Sequence, residues 1–381
     1  MNKTKLKDCC LLNNYPQLDA NTLSELKTNF GNIKLLPSSK DYDWVSNEDK
    51  AKDYICEGEV ITLGKARYAN IKYYKGKFVS ANNVIVESFN QSILLTKYLY
   101  YYCLKNNKNF YIEGTTYPKF DINSFNNSLI TIVTIEEQEK LISVLDTIQN
   151  LIDTQEKQLN LLDELIKSRF VEVFGDVLEN NKNFETCSFG DFVNQMNIGP
   201  FGSDLKNDCF VPKEKGYCMV YEQKHAIDKD MTVEARYVDE AKFNHLKRFE
   251  IGPGDIIVSC RGTIGECFIL PDNAPKGIIH PSLMMIKPKD SVNHKFLVFL
   301  LERILAEQNE QGSGVKMAIK ATELAKIKTI KPSKELQDRF IDFVSQVDKS
   351  KFIVHSRYFL WEILTLFSST IAYSSVVSIL A

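Results

Sequence analysis

TIEEQEKLISVLDTIQNLIDTQEKQLNLLDELIKSRFVEVFGD, Thr134 to Asp176, carries the longest unbroken helical period in the chain. Leu141, Leu145, Ile148, Ile152, Gln155, Leu159, Leu162 and Ile166 recur at alternating steps of four and three. That spacing draws one narrow apolar seam along a helix. It calls for a partner helix, where the alternative, a surface helix of an ordinary domain, would show a broader apolar face. Gln155 is the one polar seam member, and a single polar position usually fixes register against the partner at some cost in stability. The stretch is therefore expected to be a spacer, longer than one compact domain requires.

Working outward, the same segment is imprinted again near the C-terminus. KPSKELQDRFIDFVSQVDKSKF resembles VTIEEQEKLISVLDTIQNLID, with Gln138 falling on Gln337, Leu141 on Phe340, Leu145 on Val344 and Ile148 on Val347, a shift of 199 residues. A period near 200 is too long for a solenoid and implies a duplicated unit of domain plus helix. The expected organisation is a globular unit over 1–133, the spacer helix over 134–176, a second globular unit over 177–330 and a second helix segment over 331–381. A chain of 381 residues with 44% hydrophobic content has room for two or three cores.

The opening MNKTKLKDCCLLNNYP has too short an apolar run for a signal peptide, so the expected compartment is the cytoplasm. Nine cysteines without a C-x-x-C pair fit neither a zinc site nor a disulfide framework and are expected to be reduced thiols. Cys260 and Cys267 with His280 have the wrong spacing for zinc, which leaves core cysteines.

In the first unit the opening third is polar and poorly periodic. From Val60 to Ile112 the charge shifts, with Lys65, Arg67, Lys72, Lys75, Lys77, Lys97, Lys105 and Lys108 facing only Glu87. Tyr68, Tyr73, Tyr74, Phe78, Tyr98, Tyr100, Tyr101 and Tyr102 are interleaved. Cations with flat side chains suit a surface that tracks phosphates and touches bases. The alternative is a solvated charged face with tyrosines in the core. EGEVITLGKARYANIKYYKGKFVSANNVIVES alternates apolar and polar residues around Gly64 and an expected turn at Lys75-Gly76, which reads as β-rich. Gly58 to Lys65 is superficially like a P-loop, but the glycine spacing is wrong and Ala66 stands where a magnesium-holding hydroxyl is required.

In the second unit IGPFGSDLK, Ile198 to Lys206, is a loop. Ser203 and the backbone N–H groups opened by Gly202 are placed to meet phosphate oxygens, with Phe201 and Lys206 beside them; a plain structural turn is the alternative. GDIIVSCRGTIGECFIL reads as two strands around Arg261-Gly262-Thr263 and mirrors EGEVITLGKARYANI. Arg261 thus stands where the first half has Lys65 and Arg67, at a turn suited to a base edge or a phosphate. GIIHPSLMMIKPKD echoes FVSANNVIVESFN, setting His280 and Ser282 near Ala81 and Asn82. QGSGVKMAIKAT adds Lys316 and Lys320, and its counterpart EGTTYPKFDIN adds Lys119.

Two globular units with matched basic loops, each followed by a helix segment, resemble the DNA-specificity subunit of Type I restriction-modification systems over about residues 55 to 352. The pieces that carry the resemblance are SRFVEVFGD, IGPFGSDLK, GDIIVSCRGTIG, ITIVTIEEQEKL and IKTIKPSKELQDRF. The resemblance implies an α/β chain of α+β type: two β-rich target-recognition domains joined by long helices that pair as an antiparallel coiled coil. Each domain would read half of a split DNA site across a gap set by the helices. It also implies methyltransferase subunits docked on the helices to methylate adenines, and motor subunits that cleave unmodified DNA. S-adenosylmethionine, ATP and magnesium would belong to those partners, with no cofactor and no metal held by this chain.

No adenine-methyltransferase Asn/Asp-Pro-Pro-aromatic tetrapeptide, glycine-rich cofactor motif or true Walker A is present, so catalysis by the chain is not expected. Glu25 and Lys27 form a nuclease-like pair without a partner aspartate. The net charge of −2 is low for a DNA binder, but acidic residues gather on the helices and linkers, where a protein partner would sit. The resemblance ends after Phe352. Expected seam positions hold Val354, Tyr358, Trp361 and Thr365, and no charge follows Ile363. A membrane helix and a rearranged tail are the two readings of this stretch, and the Ser and Thr content with the lack of a basic flank favours the latter. A coiled-coil adaptor with incidental basic loops and a stand-alone restriction enzyme remain as alternative functions.

Overall fold

Thr134 fixes where the long helix begins. Its hydroxyl accepts the Glu137 N–H at 3.3 Å, and its own N–H donates to the Glu137 carboxylate at 3.1 Å, a reciprocal capping box. In the computed structural model, which describes residues 2–65, 70–113, 117–310 and 320–354, this helix runs Ile135–Phe174. A second long helix covers 334–354. The seam residues Leu141, Leu145, Ile148, Ile152, Gln155, Leu159 and Leu162 are half-buried and Ile166 is buried, while Val144, Leu151, Leu161 and Leu165 on other faces are exposed. The tail with Tyr358, Trp361 and Thr365 lies outside the described residues. Among those residues no helix is long and apolar enough to cross a membrane.

Contacts divide the chain into two units, one of residues up to 157 and one of residues 158–354. The first holds β1 (Asn2–Lys5), β2 (Cys10–Asn13), β3 (Gln17–Leu18), β4 (Ile33–Leu36), β5 (Val45–Ser46), β6 (Cys56–Gly64), β7 (Lys72–Ala81), β8 (Asn83–Ser88), β9 (Tyr111–Ile112), β10 (Lys119–Phe120) and β11 (Leu129–Ile132). Seven of them form one sheet in the order β2-β8-β6-β7-β4-β5, with β3 also on β7. The opening third is thus ordered sheet, although its polar sequence shows no clean period. Its strands are two to four residues long, too short for a period of two to register. The expected turn at Lys75-Gly76 is also corrected. β7 runs straight through, with Gly76 at φ +132° directly opposite Gly58; the reversal lies between β6 and β7.

Tyr98 and Tyr102 are core residues of the helix Thr96–Asn106. Their hydroxyls donate to the Thr131 and Leu129 carbonyls at 3.0 and 3.1 Å, which allows a phenol to be buried. For these two tyrosines the core alternative holds, not a base-stacking surface.

The second unit holds β12 (Thr186–Ser188), β13 (Val193–Ile198), β14 (Cys218–Tyr221), β15 (Arg236–Val238), β16 (Glu250–Ile251), β17 (Ile256–Ser259), β18 (Cys267–Ile269), β19 (Gly277–Ile279), β20 (Leu283–Pro288) and β21 (Lys328–Ile330). They form two four-stranded sheets, β13-β20-β17-β18 and β15-β14-β19-β16, and the pair β12-β21. Register exposes the duplication. Gly64 pairs Asn83 as Ser259 pairs Leu283, and Asn13 pairs Ile85 as Asn197 pairs Met285. β7 runs parallel to β4 as β19 does to β14. The long β6 and β7 of the first unit correspond to β16 with β17 and β18 with β19. Gly252 to Asp255 interrupts one of these strands and Leu270 to Lys276 the other, so one sheet becomes two.

In the second unit the two long helices run antiparallel. Lys351 Nζ reaches Asp163 at 2.6 Å, and the Phe340 ring lies 5.4 Å from both Phe170 and Phe174. Phe340, Val344 and Val347 are buried there with Ile166, as the repeated seam predicts. Leu141 differs, since it packs on the first unit's own core with Tyr98 and Ile130. All nine cysteines are free thiols. Cys260 and Cys267 lie in the core beside Met284, and burial pushes both above the ordinary thiol range, Cys260 to about 12.

Candidate nucleic-acid interface

Both units turn the same end of the same three strands into loops. In the first unit β8 lies between β2 and β6, and in the second β20 lies between β13 and β17. At one end of each trio stand the exit of the first strand, the start of the middle one and the exit of the third. Flanking strands of such a trio are about 10 Å apart.

In the first unit this end gathers Lys65, Asn82 and Lys119. Lys65 follows β6, with its Nζ on Asn82 Oδ1 and 3.4 Å from Gln17 Oε1. Phe120 N–H donates to the Lys65 carbonyl at 3.1 Å, which brings β10 and the exposed Lys119 alongside. Lys65 and Lys119 share a cleft of about 820 Å³ with Tyr15, Gln17, Tyr117 and Ile122. Burial, and then the Glu87 carboxylate that accepts its hydroxyl at 2.8 Å, push Tyr15 up to about 12. Arg67 and Tyr68 lie outside the described residues.

Lys72 does not belong to this surface, and its expected role in DNA binding is corrected. Its side chain is buried and its Nζ donates to the Pro37 and Ser39 carbonyls at 2.6 and 2.5 Å. Burial lowers it to about 8. Lys75 is exposed but pairs with Glu59 at 2.9 Å, across from it in the β6–β7 ladder. Five positions from the strand end, it stands about 17 Å away along β6 at about 3.3 Å per residue. Lys77 and Lys97 pair with Glu48 and Asp146. Three lysines of the basic run are thus held by carboxylates that lie outside it in sequence.

In the second unit the end gathers Phe201, Gly202, Ser203, Arg261, Thr263, His280 and Ser282. Gly199 N–H donates to the Leu283 carbonyl at 2.8 Å, and Cys260 N–H to the Ser282 carbonyl at 2.9 Å, so both loops are rooted on one segment. A Cβ on Gly199 would stand 2.3 Å from the His280 oxygen, so only glycine fits. Phe201, Gly202, Ser203, Lys206, Arg261 and Thr263 are exposed. Gln223 Nε2 donates to the Arg261 and Thr263 carbonyls at 2.5 and 3.3 Å, bracing a turn whose Gly262 sits at φ +65°. His280 Nδ1 lies 2.9 Å from Ser282 Oγ and accepts the Ser282 N–H at 3.2 Å. Burial holds His280 below its ordinary value against the pull of Glu222. With Nδ1 accepting, Nε2 carries the proton and is left to donate. Glu222 itself pairs with Arg236 and Lys224.

Lys320 starts the short helix Ala321–Leu324, exposed and paired with Glu323 at 2.8 Å; Lys316 lies outside the described residues. Gln17, Gln223 and Arg236 were not singled out from the sequence. Gln17 had a signal in the proline before it, Pro16, which matches the Pro200 before Phe201. Gln223 had none, since its role depends on a loop 38 residues away. Among the described residues no cluster could hold a metal ion.

Residues 1–164 and 210–357 match the family described as Type I restriction modification DNA specificity domain. The chain belongs to the Type I restriction-modification DNA-specificity family. Its function is that of a specificity subunit of such a system. The S subunit of a Type I restriction-modification system from M. genitalium has the same fold. It is 14% identical with a TM-score of 0.53, over 100% of this chain and 95% of that one. A chain solved in work on complex assembly and conformational transition of the type I system is also 14% identical, with a TM-score of 0.54 over 97% and 96%. In this specificity subunit the duplicated strand trio therefore sits in a fold shared over nearly all of both neighbours.

Proposed function

We propose that the chain reads a bipartite DNA target, one half-site per unit, and carries no catalytic step of its own. The observation that supports this is the repetition of one loop arrangement at one sheet end in both units. The loops bring cations and amides forward at that end: Lys65, Lys119 and Asn82 in one unit, Arg261, Lys206 and His280 in the other. Two equivalent readers on a chain threaded by one helix suit two half-sites at a set separation. Phosphates would meet the lysines, while Arg261 has the forked donors that match guanine O6 and N7. The gap would be set by the helix Ile135–Phe174 with its partner over 334–354. Methyltransferase subunits would dock on these helices and supply S-adenosylmethionine chemistry, while ATP and magnesium belong to the motor subunits.

The test is motif mapping of methylated adenines in cells carrying this chain with its partner subunits, with duplex titration of the complex across salt concentrations. A split motif and a steep salt dependence are expected. A coiled-coil adaptor would give neither. Magnesium-dependent cleavage by the purified chain alone would instead establish a stand-alone restriction enzyme.

A further inference from the structure

Phe201 stands 77% exposed at the tip of its loop, although a side chain of its size is among those that gain most from burial. Slack in the loop does not explain this. Pro200 before it and Leu205 after it are both buried, Asp204 N–H closes the turn on the Phe201 carbonyl at 2.9 Å, and Gly199 is locked under His280. The backbone is pinned on both sides and the ring is held in solvent between the anchors. Arg261 and Thr263 are exposed at the same sheet end, and Lys206, exposed as well, follows five residues later in the chain.

The first unit supplies an internal comparison. At the register-equivalent position Gln17 is folded back, its Nε2 on the Asn83 carbonyl at 2.6 Å and its Oε1 facing Lys65. The segment that follows this strand thus projects an aromatic ring from a loop in one unit and, as β3, retracts an amide in the other.

We propose that Phe201 is a wedge that inserts between, and unstacks, a base step in the half-site read by the second unit. The first unit leaves its half-site stacked. The inference rests on the DNA-specificity function. Apolar side chains that insert between base steps do so from surfaces flanked by cations on the phosphates, and Lys206 and Arg261 provide that charge. β13 and β17 flank β20, so the roots of the Phe201 and Arg261 loops are about 10 Å apart, or about three base steps at 3.4 Å each. The unstacked step should therefore lie about three steps from the base whose reading depends on Arg261.

The experiment uses the chain assembled with its methyltransferase subunits and duplexes carrying the mapped motif. 2-Aminopurine replaces each adenine, and pyrrolocytosine each cytosine, one at a time in both half-sites. The adenine to be methylated is left out, because methyltransferases flip their target base. On binding, fluorescence should rise several-fold at one step, in the half-site whose specificity is relaxed by Arg261→Ala, and nowhere in the other. Phe201→Ala should abolish the rise and weaken cognate binding about tenfold, while Phe201→Leu, which keeps an apolar wedge, should retain part of both. Tight cognate binding without any such rise, or a rise that survives Phe201→Ala, overturns the wedge and leaves DNA reading intact. Absence of salt-dependent binding overturns the DNA-specificity function, and the wedge with it.

Discussion

Gln138 and Gln337 share one pair of hydrogen bonds in two different units, Gln138 adding a third from Nε2 to the Ile93 carbonyl at 2.7 Å. Gln138 Oε1 accepts the Leu95 N–H at 2.9 Å and its Nε2 donates to the Val133 carbonyl five residues upstream, also at 2.9 Å. Gln337 Oε1 accepts the Asn293 N–H at 2.9 Å and its Nε2 donates to the Pro332 carbonyl five residues upstream at 2.9 Å. Both are almost fully buried. Each ties the start of a packed helix, Thr96–Asn106 or His294–Glu310, to the strand exit that launches a long helix. Removing one strands a buried N–H and at least one carbonyl, at about 1 to 3 kcal/mol each. Gln337→Ala should cost the second unit about 3 kcal/mol in urea unfolding, and hydrogen exchange should show the Asn293 amide losing protection while Leu95 keeps its own. Equal protection at both sites in the variant would remove the clamp role.

Lys72 predicts a pH dependence. Burial lowers it to about 8, against an ordinary value of 10.5, so between those pH values the unfolded chain holds a proton that the folded chain has lost. Stability from this group therefore rises with pH across that window and is lost again as pH falls through 8. Denaturation of the chain and of Lys72→Met at pH 7.5 and at pH 10 should show the parent gaining on the variant as pH rises. DNA affinity at pH 7.5 should be the same for both. Parallel pH slopes would contradict the burial effect.

The cations at the sheet ends should separate from those elsewhere. Lys65→Ala and Lys119→Ala should each reduce the slope of log affinity against log salt by about one, as expected for a phosphate contact. Lys75→Ala, on a cation held by Glu59, should leave it unchanged. Arg261→Ala should cost about 1 to 3 kcal/mol on cognate DNA and relax specificity in one half-site only. Equal loss on cognate and scrambled duplex would reassign Arg261 to the backbone.

The spacer can be lengthened in register. Seven residues inserted after Gln155 return the seam to the same face and add about 10 Å, or about three base steps. Both half-sites should stay as they are while the gap between methylated positions grows, with a matching insertion after Val354 if the single change unfolds the pair. A folded, active variant with the original gap would show that something other than the helix sets the spacing.

The duplication was legible because its marks are periodic. Gln138 and Gln337 stand at the same phase of matched seams, and Arg261 and Lys65 sit at matched strand exits. What was not legible depended on distant partners. Lys72 looks like any lysine of a basic run until β4 and the residues after it bring the Pro37 and Ser39 carbonyls over it. Lys97 looks unpaired until Asp146, 49 residues on, comes within 2.6 Å. Tyr98 and Tyr102 carry the same signal whether their hydroxyls face DNA or the Thr131 and Leu129 carbonyls. The split of one sheet into two follows from the glycine and proline breaks at Gly252 to Gly254 and Pro271, visible as punctuation but silent about topology.

In each unit the first strand pairs antiparallel with the last: β1 with β11, and β12 with β21. The chain thus comes into a recognition unit and leaves it one strand spacing apart, about 4.8 Å. Everything between is a cassette stitched shut at its base. Its contents can be exchanged, lengthened or broken into two sheets, as the comparison of the two units shows, without moving the point from which the helix departs. What is read and how far apart it is read are therefore free to vary separately.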